Sequence, residues 1–172
     1  MTTRRGFLKK GLLGGLVLAV GGGGGLVLWP TRIDHQPRQP LKVFSEKEFA
    51  VFAAVAARVV TVAGADPVGI VHNIDHLFET AVPEARRDLK RLLGLFDNAL
   101  AGLLFDGRPK PFTRLNGERQ DEALRAWRDS KMIVRRAGYT TLRKLSLAAH
   151  YGQPSTWASV GYPGPPNISL PT

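Results

Sequence analysis

The side chains best placed for chemistry begin with two histidines. His72 and His76 are four residues apart, so a helix sets them on one face with Asp75 and Glu79 beside them. Two imidazoles at that spacing can hold a metal ion, zinc being the commonest case. The pair lacks the glutamate of an H-E-x-x-H motif, and a third ligand has to come from elsewhere in the chain. The polar side of an amphipathic helix accounts for the same residues, and in that reading Asp75 is a helix-to-helix or partner contact. His150 beside Tyr151 is a second place for acid–base work, but no nucleophile or carboxylate pair is set with it by spacing, so a structural or interface role is the plainer reading. The 172-residue chain has no cysteine, which excludes disulfides, thiolate-bound zinc, cysteine-held iron–sulfur clusters, C-x-x-C-H haem attachment and a cysteine nucleophile.

Charge narrows the partners. Lys and Arg total 24 against 14 Asp and Glu. Basic pairs such as Arg86-Arg87, Lys90-Arg91, Arg135-Arg136 and Arg143-Lys144 raise the question of a nucleic-acid patch. Acids interleave with them (Glu84, Asp88, Glu118, Asp121, Glu122 and Asp129), which is the pattern of solvated helix faces. Nucleic acid is therefore not an expected partner.

The elements that position these residues follow from periodicity and punctuation. Residues 1–30 are basic and glycine-rich, and residues 31–44 read as a linker. The body, 45–172, is all-α with about five helices. Ser45 and Glu48 form a capping box, and Phe49, Phe52, Ala53, Ala56, Val59 and Val60 follow at helical spacing to a stop near Gly64. Asp66 and Pro67 supply the cap and first residue of a second helix with the stripe Val71, Ile74, Leu77 and Phe78. Pro83 opens a third, its stripe running from Leu89 through Leu92, Leu93, Phe96 and Leu100 to Leu103. The stretch from Asp106 to Pro111 cannot be helical. Asn116 caps a fourth helix carrying Leu124 and Trp127, and a fifth runs from about Lys131 to His150 with Ile133, Leu142, Leu145, Ala148 and Ala149 apolar. From about residue 151 a Pro/Gly-rich tail carries Tyr151, Trp157 and Tyr162, large rings that pack either on their own bundle or on a partner.

The head has its own logic. Thr3-Arg4-Arg5-Gly6-Phe7-Leu8-Lys9 precedes an uncharged stretch from Gly11 to Trp29 in which eight of 19 residues are glycine. As a helix that stretch reaches roughly 28 Å, close to a hydrocarbon core. Its glycines make it a weak membrane helix. The run from Thr3 to Lys9 resembles the twin-arginine (Tat) export consensus at every position, with Arg4, Arg5, Phe7, Leu8 and Lys9 as its signal residues. The resemblance implies delivery to the periplasm through the Tat translocase. No small-x-small cleavage site follows Trp29, so the head is either removed or kept as an inner-membrane anchor. Tat cargo crosses the membrane folded, usually with a cofactor of its own or a partner that carries one. This chain has no cofactor motif of its own, which points to a partner.

The body resembles the gluconate 2-dehydrogenase subunit 3 family. The likeness rests on Ser45-x-x-Glu48-Phe49, on Asp66-Pro67 followed by Val71-His72-Asn73-Ile74-Asp75, on Phe112, Leu115, Arg119, Leu124, Trp127 and Ser130, and on the ending Tyr151, Pro154, Trp157 and Val160 to Pro166. It departs in a short loop from Thr61 to Pro67. What the resemblance implies is a non-catalytic small subunit and export escort of a membrane-associated, FAD-dependent dehydrogenase of the glucose–methanol–choline type. FAD then belongs to the large subunit, haem c to a cytochrome third subunit where there is one, and no cofactor to this chain. Asp75, Tyr151, Trp157 and Tyr162 become the candidate contacts with the flavoprotein. The competing reading is an exported or anchored helical protein with its own small-molecule or metal role at His72 and His76.

Overall fold

A computed structural model describes residues 30–165, and the export-signal residues Arg4, Arg5, Phe7, Leu8 and Lys9 lie outside them. The described residues are all-α: α1 Glu46–Val59, α2 Pro67–Glu79, α3 Pro83–Phe96, α4 Ala99–Asp106, α5 Gly117–Arg128, α6 Ile133–Tyr151 and the single turn α7 Pro154–Trp157. Two 3-10 turns, Phe112–Arg114 and Ala158–Val160, complete them.

Helix α1 is the axis of the bundle. No charged residue lies between Glu48 and Arg58, and every residue from Phe49 to Ala56 is buried. A helix apolar on all sides must be surrounded, not laid on a surface. Helices α2, α3, α5 and α6 and the Phe112–Arg114 turn all pack on it. The expected capping box starts it: Ser45 Oγ accepts from the Glu48 amide, and the Ser45 amide donates to the Glu48 carboxylate at 2.8 Å.

The third helix departs from expectation. Its stripe does not run on to Leu103, because the chain breaks at Asp97 and Asn98 and restarts as α4. Asp97 is buried, and its carboxylate accepts from the amide and hydroxyl of Thr113, both at 2.9 Å, and from the Thr31 hydroxyl at 2.8 Å. Asn98 then caps α4 by accepting from the Leu100 and Ala101 amides. Gly107, with φ of +64°, ends that helix in the left-handed conformation glycine tolerates. The restart turns Leu103 outward, so it is exposed rather than core. Leu77 and Ile133, also expected inside, are 61% and 75% exposed.

Helix α6 faces the core along a four-residue row: Gly138, Leu142, Ser146 and His150, with Arg135 one turn earlier. The row is lean because α5 lies close. A Cβ at Gly138 would stand 2.8 Å from the Trp127 ring and 2.7 Å from Leu92 Cδ1. Gly138→Ala should therefore destabilise the fold by about 1–3 kcal/mol through overpacking, despite the better helix propensity of alanine. A urea titration at neutral pH checks it; an unchanged or higher midpoint would mean that Trp127 has room to yield.

Arg58 near the end of α1 pairs with Asp121 of α5, donating Nε–H at 2.8 Å and a second bond from Nη2. The hydrogen bond from Arg58 holds the Asp121 carboxyl below its ordinary value; burial opposes this, and the charges of Arg58 and Arg125 assist it. A depressed carboxyl stabilises the fold fully above the ordinary range, about pH 4, and its contribution is lost as the pH falls through the lower folded value. Urea midpoints should fall less between about pH 5 and about pH 2 in Asp121→Asn than in the parent. An identical acid dependence would remove the pair from the account.

Candidate interaction sites

Three structures bear on the residues singled out by sequence: the strap over α2, the aromatic tail, and a charged cluster beside a groove.

The strap is the segment 31–44. It has no regular secondary structure, yet it is tied down along its length rather than hanging as a linker. Asp75 is the main clip. Its carboxylate accepts from the amides of Lys42 at 2.7 Å, Val43 at 3.0 Å and Phe44 at 2.8 Å. Asp75 is only 2% exposed, so the expectation of a surface contact with a partner is corrected: its acceptor capacity is spent on the chain's own backbone. Arg38 is the second tie. It makes a bidentate pair with Asp66 at 2.5 and 3.0 Å. Asp66 was expected to cap α2 with its side chain; the carboxylate does lie over the first turn of the helix, near the Val68 and Gly69 amides, but it is shared with Arg38 and no well-formed capping bond results. Burial pushes the Asp66 carboxyl up, but the Arg38 hydrogen bond, the Gly69 and Val68 amides and the Arg38 charge together hold it below its ordinary value.

The histidines are used by the same strap. His72 Nε2 accepts from the Arg38 amide at 3.0 Å, and its ring sits 4.9 Å from that of Phe49. The lone pair a metal would need is already committed. His76 is exposed, with Nδ1 at 3.2 Å from the Glu79 carboxylate. Among the described residues, no group of three His, Asp or Glu side chains is placed to hold a metal ion.

The tail folds back on the end of α6. Trp157 Nε1 donates to the Tyr151 carbonyl at 3.1 Å, and Thr156 Oγ1 donates to the carbonyls of Gln153 and His150. Tyr162 meets Trp157 edge to face, ring centres 5.3 Å apart. Gly161 and Gly164 carry φ of +68° and +104°, which makes this tight return possible. A Cβ at Gly164 would meet the Trp157 ring at 3.2 Å. The three rings thus divide: Tyr151 and Trp157 are half-buried, and Tyr162 is 46% exposed at the tip. His150 is buried, its ring edge against Tyr151 at 4.9 Å.

The charged cluster was not legible in the sequence. Arg135, read there as part of a solvated basic pair, is buried. Its guanidinium donates to one oxygen of Asp106, while Arg108 donates to the other at 3.1 and 3.4 Å. Arg135 also lies over the rings of Trp127 and Phe105, at 5.4 and 5.6 Å. Two cations share one anion here, and Arg108 Nη1 and Arg135 Nε have no hydrogen-bond partner among the described residues. The one readable hint is the four-residue row of α6, which Arg135 extends by three. The neighbouring groove, about 830 Å³, is lined by Phe105, Arg108, Lys110, Arg114 and Arg119 among others. Within the other basic runs, Arg87 pairs locally with Glu84, Arg91 with Asp88 and Arg128 with Asp129, while Lys90 reaches Glu48 of α1 at 3.6 Å and Arg86 donates to the Ala81 carbonyl.

Compared with family models, curated proteins and solved structures, the chain matches none.

Proposed function

We propose that this chain is a non-catalytic small subunit that escorts an FAD-dependent dehydrogenase of the glucose–methanol–choline type through the Tat translocase to the periplasm. The observation that carries the reading is the complete run Thr3-Arg4-Arg5-Gly6-Phe7-Leu8-Lys9 on a chain without a cofactor motif. The residue-level likeness to gluconate 2-dehydrogenase subunit 3, strongest from Tyr151 to Pro166, supports the choice of partner. FAD in this proposal is held by the large subunit, and haem c by a cytochrome subunit where one is present. A body whose core closes within its own helices suits a route that carries folded cargo.

The tail supplies the grip. Trp157 closes the end of α6, whereas Tyr162 presents an exposed ring next to Pro163, and proline lowers the entropy cost of ordering such a segment. Aromatic tips of this kind are common interface anchors, each contributing about 2 kcal/mol or more when central. The full chain, tagged and purified from the envelope of its host, should bring down a flavin-containing protein. Tyr162→Ala should reduce that yield while leaving the melting temperature close to the parent. Trp157→Ala should mainly lower the melting temperature, by a loss of about 2–4 kcal/mol for a half-buried indole. A Tyr162→Ala chain that unfolds, or that retains the full flavoprotein yield, would remove the tail from the interface.

A further inference from the structure

We infer that the face formed by α4, the start of α6 and the adjoining basic groove rests on the anionic headgroups of a bilayer. The inference rests on the reading of residues 11–29 as a retained membrane segment.

The first observation is where the described chain begins. Arg114 Nε donates to the Pro30 carbonyl, the Arg32 amide donates to Thr113 Oγ1 at 3.1 Å, and Thr31 is bonded to Asp97. Residues 30–32 are therefore fixed to the bundle at the Asp97 junction and the Phe112–Arg114 turn. The uncharged stretch ends at Trp29, one residue earlier. No spacer separates it from the bundle, so a bilayer holding that stretch brings its headgroups to the Arg114 side of the domain. Arg114 and Phe105 line the same groove.

The second observation is what this side exposes. Leu104 is 72% exposed, Phe105 44%, Ile133 75% and Val134 57%; Leu103 and Met132 extend the patch. The two segments are neighbours, since Phe105, Met132 and Val134 line one small apolar cavity. Six large apolar side chains open to water within two three-residue stretches are more than scattered surface hydrophobes.

The third observation is charge. Lys131 and Arg136 are exposed and flank the apolar triplet Met132 to Val134; the groove carries Arg108, Lys110, Arg114 and Arg119 against Asp106 and Glu122, a basic excess of two even with Arg119 paired to Glu122 at 2.7 Å. Apolar tips framed by Lys and Arg are the chemistry of an interfacial contact: the tips enter the headgroup–acyl boundary and the cations meet lipid phosphate. A protein partner would also accept an apolar patch. The position beside Pro30 is what favours the bilayer.

Because the chain has no cysteine, single reporters can be introduced cleanly. Full chains carrying Leu104→Cys, Ile133→Cys or, as a control on another exposed apolar residue, Leu77→Cys are labelled with a fluorophore and reconstituted in vesicles of phosphatidylcholine and phosphatidylglycerol. Brominated acyl chains should quench the label at positions 104 and 133 and leave that at position 77 unchanged. Quenching should weaken in vesicles of phosphatidylcholine alone. Chains that float with the vesicles but show no excess quenching at 104 and 133 would overturn this face and leave the membrane anchor standing. Chains that do not float would overturn both. A label at 104 that is shielded only when the flavoprotein is added would assign the patch to the protein partner and overturn the inference.

Discussion

Replacing Asp75 by alanine should cost about 3–5 kcal/mol, enough to remove much of the stability of a domain this size. The carboxylate accepts from three consecutive amides, Lys42, Val43 and Phe44, and is itself buried. Charged acceptors make the stronger hydrogen bonds, and their removal strands each donor in turn. The effect reaches beyond the clip. Phe44 is part of the core, 6.1 Å from the Phe52 ring, and the same strap carries the Arg38 amide that occupies His72. Asp75→Asn should cost less, since its carbonyl still accepts, but its amino group faces donors. Denaturant titration measures the loss, and hydrogen exchange at residues 42–44 should accelerate in both variants. A loss below about 1 kcal/mol for alanine would mean that water replaces the carboxylate and that the strap is not held by it.

Asp106→Ala should be of similar size, about 3–5 kcal/mol, for a different reason. The Asp106 side chain is 6% exposed, and those of Arg135 and Arg108 are 8% and 11% exposed. Removing the shared anion leaves two buried cations without their partner, one of them, Arg135, lying over Trp127 and Phe105. The cost comes from the stranded charge rather than from the pair's net worth, so a second change should recover much of it. Asp106→Leu combined with Arg135→Met should be more stable than Asp106→Leu alone. Additive losses in that cycle would show that the two residues do not share an environment.

Local signals in the chain were readable where the physics is local. Ser45 and Glu48 cap across three residues, Asn116 accepts from the amide of Arg119, and Pro67 and Pro83 stand at the first helical positions. What could not be read depends on partners far along the chain. Asp97 breaks the third helix because Thr113 and Thr31 donate to it, across 16 and 66 residues. Asp66 caps α2 only imperfectly because its carboxylate is shared with Arg38, 28 residues earlier. Asp75 sits on the polar side of its helix by spacing, and only the strap laid over that side makes it interior. Arg135 lies beside Arg136 in a charged run, yet three residues separate it from Gly138, whose missing side chain lets α5 close over both. The aromatic tail was legible as large rings on a non-helical backbone. Which ring faces inward was decided by the Trp157 hydrogen bond to Tyr151.

The account turns on export with a partner. The most direct test is to replace Arg4 and Arg5 together by lysine in the full chain, expressed beside the flavoprotein it brings down, and to measure both proteins and bound flavin in periplasmic and cytoplasmic fractions. The account predicts that the chain and the flavoprotein both stay in the cytoplasm while still co-purifying, because the signal is lost and the contact is not. Periplasmic chain and flavin at parent levels would contradict it.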